Sequence, residues 1–158
     1  MLALGVKAPR FDLFDTLSKQ TKSYESLKGA KGILVMFICN HCPYVLHMQD
    51  ALVAVGNKYL ELGIGVVAIS SNDAVAYPDD DPVKMEQFAL RLGFKFPYLY
   101  DETQEVAQSY EVACTPDFYL FDHRDDLVYR GRFDPSRPGN DIEVTGPDLI
   151  AALELLNS

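Results

Sequence analysis

The chain has 158 residues, and 14 Lys and Arg stand against 23 Asp and Glu for a formal net charge of −9. That length buries a core without disulfides or metals to hold it, so one domain over residues 1–158 is expected. The charges are scattered rather than blocked, and so acidic a chain lacks the cationic patch that displaces counterions from a polyphosphate, which argues against nucleic acid or an anionic membrane as partner.

The start, MLALGVKAPRFDL, has no basic segment followed by an apolar core, and no uncharged apolar run approaches the roughly 20 residues that span a bilayer. Three cysteines cannot all pair within one chain, and they lack the dense, even pattern of a small secreted fold. A soluble, cytoplasmic protein in a reducing compartment is expected.

Residues 33–38, ILVMFI, form an apolar run short enough for a strand buried on both faces, with residues 1–30 an added N-terminal piece. After Pro43 the positions Val45, Met48, Leu52, Val55 and Tyr59 recur at three and four residues, one face of an α-helix that Gly63 ends. IGVVAISSN, residues 64–72, reads as a second strand. The acidic turn YPDDDP then leads to a helix over Val83–Leu92, with Asp81 as cap and Pro82 at its first position. The run Asp79–Asp81 is otherwise read as a solvated turn.

FPYLY is a short apolar piece, ETQEVAQSYEV is helix-like, and DFYLFD and LVYRGRF are two strands joined by HRDD and expected to pair antiparallel. Arg130 and Arg132 on that hairpin read as a solvated face and receive no role. Thr145 and Asp148 have capping-box spacing ahead of LIAALELL. The order strand, helix, strand, helix, helix, hairpin, helix predicts an α/β domain, a central mixed sheet with helices on both faces.

The chemistry concentrates in FICNHCPYV, residues 37–45, which holds two of the three cysteines. Pro43 suits the first helical position, so Cys42 becomes the cap, its sulfur beside unpaired backbone N–H groups and the positive end of the helix dipole. Such a place lowers a thiol pKa below the free value of about 8.5 and yields a nucleophilic thiolate, to which a protonated His41 adds. Cys39 is the natural resolving thiol provided that Asn40 and His41 turn the chain. A disulfide needs Cα atoms roughly 4.4–6.8 Å apart, whereas three extended steps span about 10 Å.

The bland reading of the pair is two small apolar residues at a strand end. Cys114 is expected near the Cys42 loop, where a buried, inert thiol is its commoner fate and an auxiliary role the alternative. Cys39, His41, Cys42 and His47 also offer a soft set for zinc or Cu(I). That makes a non-catalytic metal-binding module an alternative, although no resident metal or cofactor is expected.

At ICNHCP and again at ACTPDFYLFD the sequence resembles the thioredoxin superfamily, most of all its peroxiredoxin-like and TlpA-like branch, the AhpC/TSA-type redoxins. APRFDLFDT, KGAKGILVMF, the helix after the cysteines and RGRF resemble that branch in the right order, so the resemblance covers nearly the whole chain. It implies a thioredoxin-like fold with a peroxiredoxin-type N-terminal extension, Cys42 at the attacking position, a cis Pro116, and substrate contacts from Thr115 and Pro116.

The departures from that pattern also matter. The second thioredoxin cysteine would fall at Val45, the buried acid of thioredoxins at Met36, and the peroxiredoxin threonine at Cys39. The implied activity is thiol–disulfide exchange in an antioxidant protein, with a peroxiredoxin-like thiol peroxidase as alternative. The implied partners are a protein or small-molecule disulfide or peroxide, and a thiol electron donor such as a thioredoxin.

Overall fold

Burial of the central strand on both faces organises the architecture of the computed structural model, which describes residues 2–158. The chain runs β1 (Asp12–Asp15), β2 (Thr21–Ser23), α1 (Tyr24–Leu27), β3 (Gly32–Phe37), α2 (Pro43–Glu61) and β4 (Ile64–Ser70). It continues through α3 (Pro82–Leu92), β5 (Tyr98–Tyr100), α4 (Glu105–Ser109), β6 (Asp117–Asp122), β7 (Leu127–Gly131) and α5 (Pro147–Asn157). A single 3₁₀ turn, Pro78–Asp80, precedes α3.

The strands form one sheet in the order β2-β1-β5-β4-β3-β6-β7. β3 and β5 lie parallel to β4, and the remaining pairs are antiparallel, including the expected β6–β7 hairpin. The N-terminal piece therefore joins the main sheet through β1 and β5. Strand alternation sends Leu34, Met36, Val66, Ala68, Phe118 and Leu120 to one face, against Val45, Met48 and Leu52 of α2, Met85 and Phe88 of α3, and Leu149 and Leu153 of α5. Ile33, Val35, Phe37, Val67, Ile69, Tyr119 and Phe121 face the other way, toward Phe11, Tyr24, Val106 and Tyr110.

The loop into β3 lies directly on the start of β4. A Cβ at Gly65 would sit 2.1 Å from the Leu27 carbonyl oxygen, and one at Gly29 would sit 2.4 Å from that of Gly63, so only glycine allows this approach.

Helix ends follow local chemistry with two corrections. Asp81 accepts the Lys84 N–H at 2.8 Å and Pro82 follows, as expected, and Gly93 ends α3 in the left-handed region. The capping box at Thr145 and Asp148 does not form. Gly146 is the N-cap, the Thr145 and Gly146 N–H groups go to buried Asp134, and Asp148 accepts from Arg132. The helix-like run 102–112 is helical only over Glu105–Ser109. Asp101 takes the N–H groups of Val106 and Ala107, and Glu111, at φ 55°, turns the chain away after Tyr110.

Replacing the α3 cap by Asp81→Ala is expected to lower the unfolding free energy by about 1 kcal/mol. The measurement is a reduced urea midpoint with an unchanged slope.

Candidate functional site

β3 has paired neighbours on both sides, so the chain can leave it only at its end, where Ile38 and Cys39 emerge still buried. Asn40 and His41 turn the chain, and Cys42 becomes the N-cap of α2 with Pro43 in the first turn. Cys39 and Cys42 are both free thiols and neighbours in this turn. The Cys42 thiol donates to the Thr115 carbonyl at 3.5 Å, and Cys39 Sγ lies 3.6 Å from Thr115 Oγ1. Thr115 belongs to the opposing turn, and the Thr115–Pro116 peptide is cis as the resemblance implies.

The two thiols are shifted in opposite directions. The neighbouring Cys39 is the chief influence pulling the Cys42 pKa below the ordinary thiol value. Burial opposes it, while the Val45 N–H, Thr115 and the Tyr44 N–H reinforce it. Cys39 is pushed up, first by its neighbour Cys42 and then by burial. Cys42 is therefore the more acidic of the two thiols and Cys39 the one that keeps its proton longer.

A second group lies beside Cys39. Asp80 is fully buried, and its Oδ1 accepts the Asn40 N–H at 2.8 Å. Its Oδ2 accepts the Asn72 side-chain amide at 2.8 Å and lies 2.5 Å from His41 Nδ1. Asn40 also donates to the Asp79 carbonyl and accepts from the Tyr98 hydroxyl, both at 2.8 Å. Tyr98 is buried, which raises its pKa well above the ordinary phenol value and keeps it a donor. His41 stacks on Tyr77, with centroids 5.3 Å apart and the rings inclined by 15°.

The structure thus brings Cys39, Cys42, His41, Thr115 and Pro116 to one place. Asp80 was missed: within the polar run Asp79–Asp81 the sequence gives no sign that the middle residue points inward, so reading the whole run as solvated is corrected. Cys114 is exposed rather than buried and lines grooves on both sides of the Thr115 turn, one of them reaching Tyr44, Met48 and Phe133. Cys39 is the thiol beside Cys42. Arg132 pairs with Asp148 and borders the Tyr44 groove.

The soft-metal set is not assembled as the sequence suggested, because His47 Nε2 is bonded to Ser136 Oγ at 2.7 Å. Cys39, His41 and Asp80 do place one donor atom each within 4.8 Å of the others. Yet both Asp80 oxygens already accept hydrogen bonds, one of them facing His41 Nδ1. The set is arranged as a proton-sharing network.

The family model for the AhpC/TSA family matches residues 4–130. Thiol-disulfide oxidoreductase ResA of Bacillus thuringiensis (strain Al Hakam) is 27% identical over 124 residues, 77% of this chain and 65% of the relative. The chain thus spans just under two thirds of the length of that curated relative. An uncharacterized conserved protein from Geobacillus kaustophilus superimposes with a TM-score of 0.97 at 50% identity, covering 99% of this chain and 83% of that one. The thioredoxin domain of a thiol-disulfide oxidoreductase from Bacteroides vulgatus superimposes with a TM-score of 0.70 at 19% identity, covering 96% and 99%. The fold is thioredoxin-like.

Because the Cys42 pKa is lowered, its thiolate persists as pH falls below the ordinary thiol range of about 8.5. Iodoacetamide at mildly acidic pH is expected to label Cys42 ahead of exposed Cys114 and of Cys39, as read by peptide mass mapping. Faster labelling of either other cysteine in the folded protein would contradict this electrostatic assignment.

Proposed function

Since this chain belongs to the AhpC/TSA family, we propose that it is a thiol–disulfide oxidoreductase with Cys42 as the attacking thiol and Cys39 as the resolving one. The observation that carries this reading is the place of Cys42 as N-cap of α2 beside buried Cys39, with both sulfurs against Thr115, a setting that lowers the Cys42 pKa and raises that of Cys39. The activity printed for the Bacillus relative agrees with it.

Cys42 thiolate attacks one sulfur of a substrate disulfide, forming a mixed disulfide and releasing the first substrate thiolate. Cys39 then attacks Cys42 Sγ, releasing the second and leaving a Cys39–Cys42 disulfide. A thiol donor such as a thioredoxin restores the dithiol. Thr115 and Pro116 line the approach and contact the substrate chain, which is a protein or small-molecule disulfide. An antioxidant role in the cytoplasm completes the reading, on the sequence argument for a reducing compartment.

One observation favours a peroxidase as second reading. The Thr115 hydroxyl lies beside both thiols, as a donor able to orient a peroxide oxygen. In that case Cys42 becomes a sulfenic acid, which Cys39 resolves to the same disulfide.

Comparing hydrogen peroxide with a model disulfide as oxidant of the reduced protein separates the two readings. The disulfide is expected to give the larger rate constant, and peptide mapping should find a Cys39–Cys42 bridge that dithiothreitol reverses. Cys39→Thr should lower exchange turnover and let sulfenic acid on Cys42 persist. A larger rate constant for peroxide, or undiminished exchange in Cys39→Thr, would promote the peroxidase.

A further inference from the structure

The exchange reading leaves one proton unassigned. Cys39 is 2% exposed, and once Cys42 is bound in the mixed disulfide it cannot take the proton that Cys39 must lose. The Cys39 proton must leave before its sulfur can attack, and Met36, where a thioredoxin-type acid would fall, is an apolar core residue.

From the packing around Cys39 we infer that His41, positioned by buried Asp80, accepts the Cys39 proton in the resolving step. A His41 ring nitrogen, an Asp80 oxygen and Cys39 Sγ all lie within 4.8 Å of one another, a span that one water closes. The carboxylate facing Nδ1 at 2.5 Å holds the imidazole in place and fixes its tautomer. Stacking on Tyr77 fixes the ring plane. The His41 side chain is 39% exposed while Asp80 is wholly buried, so the imidazole connects a closed interior to solvent.

The other titratable groups facing this pair are already engaged. Tyr98 donates to Asn40, Asp79 lies near Lys84, and Asp81 caps α3. Cys42 is the sulfur under attack. Asp80 does not reach the reacting atoms itself: it acts through His41 and through the Asn40 N–H, which together set the turn between the cysteines.

This assignment rests on the exchange reading. The Cys39 S–H gives its proton to the His41–Asp80 pair, and the resulting thiolate forms a bond to Cys42 Sγ. The bond from Cys42 to the substrate sulfur breaks, and the substrate leaves as a thiolate. The substrate disulfide is reduced by two electrons and the cysteine pair oxidised by two. The pair then passes its proton to the departing thiolate or to solvent and returns to its starting state.

The test uses dithiobis(nitrobenzoate) in a Cys114→Ser background, so that the exposed thiol releases no chromophore. The first equivalent of aryl thiolate reports attack by Cys42, and the second reports resolution by Cys39. In His41→Ala the ratio of the second rate to the first is expected to fall roughly tenfold or more near pH 6 and to recover as pH rises and hydroxide replaces the missing base. Asp80→Asn should reproduce that pH dependence. His41 sits at the surface, so its variant remains informative even where the Asp80 variant does not fold. A ratio unchanged by His41→Ala at every pH, or lowered equally at every pH, overturns the relay. A second equivalent that persists in Cys39→Ser overturns the exchange reading itself and leaves the relay without its step.

Discussion

β3 is hydrogen-bonded on both edges and covered on both faces, and the site follows from that confinement. A strand so enclosed has one exit, its C-terminal end, where the chain must turn at once to begin α2. Ile38 N–H makes the last bond to a strand, to the Ile69 carbonyl of β4; beyond it the backbone finds other partners, Asn40 N–H bonding Asp80 while the first turn of α2 begins at Cys42. Reactivity arises where the regular ladder runs out.

From this geometry the two thiols are shifted in opposite directions. The dipole of α2 favours charge on the sulfur at its own start. The sulfur still on the strand side has no such field and keeps the proton. The two cysteines are unequal before any substrate arrives, because a helix begins at one of them and a strand ends near the other.

This inequality was legible in the sequence, because its causes are local. Pro43 marks the helix start, the spacing from Val45 to Tyr59 marks the buried face, and the unbroken apolar run before Cys39 marks a doubly covered strand. Cys42 as cap, Asp81 as cap and Thr115–Pro116 as the opposing turn were readable for the same reason or through family resemblance. What escaped depends on distance along the chain. Asp80 meets Asn40 from 40 positions away, and nothing in three consecutive aspartates reveals which one turns inward. The start of α5 was misread because Asp134, remote in sequence, takes the N–H groups that a capping box would have served. Cys114 was expected inside because small apolar residues usually are, yet a cis-proline turn carries it outward.

The sheet's two outer strands carry a consequence for how partners meet this protein. β2 is only three residues long and presents Lys22, while the β6–β7 pairing slips at a bulge between Leu120 and Phe121. Neither edge offers the long, flat row of free backbone groups on which a foreign strand can grow. With both flanks blunted, an extended chain that meets this protein finds no edge on which to add a strand, and the sideways pairing that turns an encounter into a co-aggregate is disfavoured.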